Sequence, residues 1–262
     1  MDGTGSALDN AIETEVMTVA AKTTTGGAGT GINLLEASVV AVDTVASFSV
    51  NRVALDASTG TAATTTAGLS DLVTAGNGNI VLETLAGTIT LNEGTGGIAN
   101  AAVSANGSGN VRVEAQDPGT DVLVNAQILS GTGNLTLRGG RNVTFAGTGN
   151  VIVGANPGTI DVQAVTGTVD QGATLTLQTD QANILVVAAV DAKLGVLDAR
   201  KNTDRTGGVL TNQASWGNVG VTATGGSILD NKARAGTAEN LWAKTTRLEA
   251  KTNLGQIGRA HV

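Results

Sequence analysis

The chain has 262 residues, 41% of them hydrophobic and 14% charged, with 37 glycines, no cysteine and a net charge of −7. This apolar content excludes a disordered chain, and the acidic balance without any basic run excludes a nucleic-acid surface. No apolar stretch reaches the roughly 18 residues of a membrane-spanning helix, and the lack of cysteine excludes disulfides and thiolate metal sites.

The chain opens on Asp2-Gly3-Thr4-Gly5-Ser6, a polar stretch unlike the basic and then apolar start of a secretory leader. It reads as an internal piece of a longer protein. Gly26-Gly27-Ala28-Gly29-Thr30-Gly31 has the glycine density of a phosphate loop. No Lys-Ser/Thr follows and no helical pattern opens, so a flexible corner is the reading. Residues 54–78, with Thr64-Thr65-Thr66, hold few alternating apolar pairs and predict a loop extruded from a corner, or a wider coil.

The repeat is plainest in the middle. Asn134-Leu135-Thr136-Leu137, Asn142-Val143-Thr144-Phe145 and Asn150-Val151-Ile152-Val153 recur every eight residues. Alternation puts Leu135, Leu137, Val143, Phe145, Val151 and Val153 on one side, and Thr136, Thr144 and Ile152 on the other. A longer period runs above it. Ile89/Leu91, Val111/Val113, Leu135/Leu137, Ile160/Val162 and Ile184/Val186 are separated by steps of 22, 24, 25 and 24 residues. Val151/Val153 to Leu175/Leu177 is another 24, and Val219 to Leu241 is 22.

Residues 200–217 carry Lys201, Asp204, Arg205 and Trp216, and residues 231–246 carry Lys232, Arg234, Glu239 and Trp242. Both read as corner loops, with a helical turn expected within 238–244. Residues 241–258 alternate Leu and Ala, and residues 11–21 read as their continuation, which suggests a larger repeated module. Residues 257–262, Ile-Gly-Arg-Ala-His-Val, match one reading frame of a sequencing adapter and are expected to be a non-native tail.

Three strands of about eight residues make one coil of about 24. The expected fold is all-β: a single-stranded parallel β-helix, or β-solenoid, with three strands and about 20–26 residues per coil, continuous over residues 1–256. Ten to twelve coils at about 4.8 Å each give a rod of roughly 50–55 Å. Glycines are expected to supply positive φ at corners. The Asn residues before strands are expected to adopt left-handed geometry, and Asn110 and Asn134, 24 apart, to stack as a ladder.

Gly-Thr-Gly-Asn-Leu-Thr-Leu (131–137), Gly-Thr-Gly-Asn-Val-Ile-Val (147–153) and Gly225-Gly226-Ser227-Ile228-Leu229-Asp230 resemble the degenerate repeats of giant bacterial surface proteins. The named group they resemble is the filamentous-haemagglutinin-like adhesins, with autotransporter passenger domains near them. The resemblance covers residues 12–258. It implies secretion, extracellular surface display and adhesion or scaffolding, and it carries no catalytic residues.

Candidate chemistry is sparse. The only histidine, His261, lies in the tail, which removes a Ser-His-carboxylate site. Asp117, Asp121, Asp161, Asp170, Asp180, Asp191, Asp198, Asp204 and Asp230 remain. A β-helix polysaccharide lyase or hydrolase would gather several of these on one face with an Arg or Lys, and Ca²⁺ as cofactor. Asp117-Pro118-Gly119-Thr120-Asp121 reads instead as a turn, and no Ca²⁺-binding nonapeptide or EF-hand loop occurs. No cofactor is therefore expected. Trp216 and Trp242 are candidates for a glycan-stacking pair, or for packing that covers a corner. The Asn-Leu-Thr and Asn-Val-Thr glycosylation sequons at Asn134 and Asn142, and Asn106-Gly107-Ser108, arise from the strand-entry pattern. Thr136, Thr144 and Thr176 would need a flat array to act as an ice-binding face.

The expectation is a non-catalytic fibre module whose partners are neighbouring solenoid segments of the same chain and a host-cell, glycan or matrix surface. The alternatives are a polysaccharide-active enzyme and a glycan-binding module.

Overall fold

Alternating Val, Leu and Ile between glycine-rich corners favours short extended strands over helices, because Thr, Val, Gly and Asn are poor helix formers. The computed structural model describes residues 10–27, 30–206, 212–232 and 239–255. Its strands form three long parallel sheets of nine, eight and eight strands. The chain visits them in turn: Leu135–Gly139 lies in the first sheet, Val143–Phe145 in the second, Val151–Val153 in the third, and Ile160–Ala164 in the first again. This is the expected three-strand β-solenoid, and the eight-residue repeat is the step from one face of a coil to the next.

Register is regular. Val111, Leu135, Ile160, Ile184 and Val219 stack in one column of the first sheet. All five are at most 2% exposed. Inward residues from all three sheets merge into a single apolar cluster running from Ile32 to Ile228. Each fully buried Val or Leu stabilises the stack by roughly 1.5–3 kcal/mol before entropy is subtracted. No coil could hold these residues alone, so stability comes from stacking.

Among the described residues the first sheet counts nine rungs rather than ten to twelve, about 38 Å over eight steps of about 4.8 Å. Insertions take up the difference. Steps of 24, 25 and 24 residues link Val113, Leu137, Val162 and Val186. The step from Leu34 to Leu82 is 48, from Leu82 to Val113 is 31, and from Val186 to Val221 is 35.

The largest insertion leaves the corner between the second and third sheets. It is an antiparallel hairpin, Phe48–Val53 with Thr59–Thr66, on a short base of Thr44–Val45 with Leu69–Ser70. The extruded loop expected at 54–78 is thus a hairpin that starts earlier, while Leu72–Val73 and Asn79–Thr84 are already coil strands. Of residues 200–217, the described ones, 200–206 and 212–217, lie at the corner between the third and first sheets and contain two 3₁₀ turns, Asn202–Asp204 and Gln213–Ser215. The helical turn expected at 238–244 is not formed over 239–244, where Leu241–Trp242 pairs with Leu197–Asp198 as a strand. Ala238 and the tail at 257–262 lie outside the described residues.

Three spacings need correction. Ile89 and Leu91 belong to the second sheet, paired with Val122 and Val124; the true neighbours of Val111 and Val113 are Ile80 and Leu82. Val151 pairs with Leu177 rather than Leu175. Val219 pairs with Thr246, while Leu241 pairs with Leu197.

The corner residues follow the expectation in part. Gly76, Gly107 and Gly147 supply positive φ at corners, but Gly133 does not. A Cβ there would lie 2.0 Å from the Gly109 carbonyl oxygen of the rung before, and a Cβ on Gly158 would lie 2.2 Å from that of Gly133. Glycine is needed because backbone meets backbone between rungs. Asn100, directly before the strand Ala101–Ala105, takes the expected left-handed geometry at φ 64°, as does Asn77 at φ 70°, whereas Asn110, Asn134, Asn142 and Asn150 do not. Asn79, Asn110 and Asn134 form the expected ladder: each carboxamide oxygen of the first two accepts the backbone N–H of the next, at 2.9 and 2.8 Å. Asn134 passes the pattern on to the Thr159 N–H at 3.0 Å.

Candidate functional site

Three places on the solenoid gather polar chemistry. The first is the outer face of the first sheet. Alternation turns Glu83, Arg112, Glu114, Arg138, Asp161 and Gln163 outward, and parallel register brings them together across four rungs. The Arg112 Nε donates to Glu83 at 2.8 Å, and its Nη2 pairs with Glu114. Arg138 pairs with the other oxygen of Glu114. Gln116 donates to the second oxygen of Glu83 at 3.0 Å. Both glutamates are buried under their partners, at 6% and 4% exposure.

At the end of this ladder, Asp161 accepts from Gln163 at 2.8 Å through one oxygen and has no partner on the other. Burial pushes its carboxyl above the usual range, against the lowering effects of Gln163 and the Arg112 charge. Beside the ladder lies a shallow hollow of about 260 Å³, lined by Val81, Asn110, Arg112, Asn134 and Thr136 among others. The arginines are each held by carboxylates, which fixes them as charge partners rather than bases.

The second place is the corner loop at 200–217. Asp198, 5% exposed at its side chain, accepts from Arg200 at 3.0 and 2.7 Å and from Arg205 at 3.2 Å. Burial pushes the Asp198 carboxyl up, but hydrogen bonds from Arg200 and the charges of both arginines outweigh it and hold the carboxyl below its usual range. The Arg200 guanidinium sits 4.0 Å over the Trp242 ring. Trp216 meets Trp242 edge-on, with ring centroids 6.5 Å apart. The Trp216 indole N–H donates to Asp204 at 2.8 Å.

This sorts the two tryptophans. Trp216 is 4% exposed, so it does not offer the open ring that a glycan platform requires. With half-buried Trp242 it clasps the loop to the third sheet. The sequence named Asp198 only as one of nine scattered carboxylates and Arg205 only as a loop charge, and it did not join them with Arg200 as the anchor of the tryptophans. The available signal was an Asp-x-Arg pair at a strand end, in a chain with only 15 Lys and Arg.

The third place is the foot of the hairpin. A hollow of about 350 Å³ opens there between Lys22, Ser70, Thr95 and Gly97. Beneath it Asp71 is 1% exposed, with φ of 66°. One oxygen accepts the Gly94 N–H at 2.8 Å, and the other has no partner. Burial raises its carboxyl, and the charges of Asp43 and Glu93 add to the effect. Above this foot the strand Phe48–Val53 is exposed along its length: Phe48 is 58%, Val50 54% and Val53 69% exposed, and Leu55 beyond it is fully exposed.

The remaining candidates are structural. Asp117 caps its own turn by accepting the Gly119 N–H at 2.8 Å. Asp121 binds Arg141 at 2.9 and 2.6 Å and the Asn142 N–H at 3.0 Å, and the Arg141 bonds hold its carboxyl low. Asn134 and Asn142 use their carboxamides between rungs, so the sequons there serve the ladder. Thr136, Thr144 and Thr176 lie on three different sheets and form no common face. Among the described residues, no group of three or more His, Asp or Glu side chains is placed to hold a metal ion. No helix among them is long and apolar enough to cross a membrane.

No family model, curated protein or solved structure matches the chain.

Proposed function

We propose that this chain is a non-catalytic structural and adhesive module of a large secreted bacterial surface protein, where it extends and stiffens an extracellular fibre. One observation carries the reading: a continuous solenoid core bears a hairpin whose apolar side chains face solvent. A buried stack of parallel strands resists bending and pulling, because every rung is hydrogen-bonded to the next along its length. The hairpin spends apolar side chains outside the core, where they add nothing to folding but supply a contact surface. The repeats that resemble filamentous-haemagglutinin-like adhesins support the same assignment. Its partners are neighbouring solenoid segments of its own chain and a host-cell, glycan or matrix surface.

The test is binding of the chain to cultured cells and to matrix-coated surfaces, with Phe48→Asp/Val50→Asp alongside. Saturable binding lost in the double variant supports the reading. Binding that the double variant retains, or no binding to any surface, removes the adhesive half.

A second reading is favoured by the Glu83–Arg112–Glu114–Arg138 ladder and its hollow, which offer charged and amide groups to a saccharide chain lying along the first sheet. Incubation with acidic polysaccharides separates the outcomes. Product release abolished by Asp161→Asn would favour an enzyme, and binding without products a glycan-binding module.

A further inference from the structure

We infer that Asn106-Gly107 is a modification site, a corner of the solenoid at which Asn106 deamidates through its own backbone to give aspartate and isoaspartate.

The sequence has two Asn-Gly pairs, Asn77-Gly78 and Asn106-Gly107. Glycine after asparagine favours this reaction, because no Cβ shields the glycine nitrogen and the backbone turns freely. Both pairs lie at the corner between the third and first sheets, on successive rungs. Their hydrogen bonds set them apart. The Gly78 N–H donates to the Ala75 carbonyl at 3.2 Å, and the Asn77 carboxamide oxygen accepts the Ser108 N–H at 3.0 Å. Both reacting groups of the first pair are thus engaged. Asn106 is exposed. Among the described residues neither its carboxamide nor the Gly107 N–H has a hydrogen-bond partner. Asn106 also stands outside the ladder of Asn79, Asn110 and Asn134.

The reaction balances with water alone. Solvent base removes the Gly107 proton, and the nitrogen bonds to Asn106 Cγ. The Cγ–Nδ2 bond breaks and ammonia leaves, taking up a proton and closing a five-membered succinimide. Water then adds at one of the two ring carbonyl carbons. Addition at Cγ breaks the new bond and leaves aspartate. Addition at the main-chain carbon breaks the original peptide bond and leaves isoaspartate, whose chain runs through Cβ and Cγ and is one backbone atom longer.

The turn has no slack for that atom. The Gly109 N–H donates to the Asn106 carbonyl at 3.0 Å, and the Thr132 N–H of the next rung donates to the Gly107 carbonyl at 2.7 Å. Gly109 packs on the Gly78 carbonyl of the rung before, and Gly133 on the Gly109 carbonyl, with no room for a Cβ at either. Isoaspartate therefore loosens this corner, whereas aspartate adds only a charge.

The inference does not depend on the adhesive reading. The experiment is peptide mapping by mass spectrometry of the full chain held folded at mildly alkaline pH. Isoaspartyl methyltransferase reports the longer isomer, and a urea-unfolded sample runs alongside. In the folded chain Asn106 should convert at least on the order of tenfold faster than Asn77, whose two hydrogen bonds must break first. In urea the two should convert at similar rates. The rate should rise with pH, because the attacking nitrogen must lose its proton. Hydrogen exchange at Gly109 and Thr132 should speed up in the aged chain but not in N106D, which has the charge without the extra atom. An Asn106 that stays intact in the folded chain, or converts no faster than Asn77, would overturn the site. Unchanged exchange at Gly109 and Thr132 in a chain rich in isoaspartate would overturn the loosened corner.

Discussion

Two buried aspartates do opposite work at corners of the same solenoid. Asp71 is 1% exposed with one oxygen unpartnered, and its carboxyl is raised by burial and by Asp43 and Glu93. A raised carboxyl means that the folded state holds the proton more tightly than the unfolded chain. The native state therefore loses stability as pH rises from about 4 through the folded value. Asp71→Asn removes the charge and keeps a residue tolerant of φ near 66°. Thermal denaturation at neutral pH should show a gain of about 1 kcal/mol that vanishes at low pH. A loss at neutral pH would mean that the charge has a partner it depends on. Asp198 has the reverse sign: its contribution is present above the usual carboxylate range and fades as pH falls through the lowered folded value. Asp198→Ala leaves Arg200 and Arg205 without their counter-charge and should cost about 3 kcal/mol. Trp216 and Trp242 are the only tryptophans, so their fluorescence reports this clasp alone. The variant should red-shift it; unchanged emission would show that the clasp holds without Asp198.

Strands and corners were legible in the sequence to different degrees. Alternation gave Val111, Leu135, Val143, Val151, Ile160, Leu177 and Ile184 their correct inward face, and the Asn110–Asn134 spacing gave the ladder. Which sheet a strand joins was harder to read. An inward Val-x-Val looks the same on all three faces, so Ile89/Leu91 entered the wrong series when the corner before Ala101 lengthened. The hairpin was misbounded for a similar reason: Phe48 and Val50 alternate as a coil strand does, yet their partners are Thr66 and Thr64. The acidic–arginine ladder went unread, because Glu83, Glu114 and Arg138 come together only when rungs are stacked in register. The hairpin is an element that packs on itself and stands off the core. Replacing residues 46–67 with a short glycine-serine link should leave the melting temperature within about 2 °C of the parent, since an isolated hairpin adds little stability. A large drop would mean that the hairpin braces the rungs at its foot.

At the scale of the whole molecule, the solenoid is a one-dimensional stack in which each rung touches only its neighbours. Its regular rise and its continuous core both follow from that one arrangement. The most direct test measures the rung spacing itself. The chain has no cysteine, so spin labels can be placed in pairs at outward positions of one column: Val81 with Leu185, with Gly220 and with Arg247. These pairs are four, five and six rungs apart, and pulsed dipolar spectroscopy should give separations of about 19, 24 and 29 Å, rising by about 4.8 Å per rung. Distances that fail to rise in that order, or that rise by unequal steps, would contradict the stacked coil.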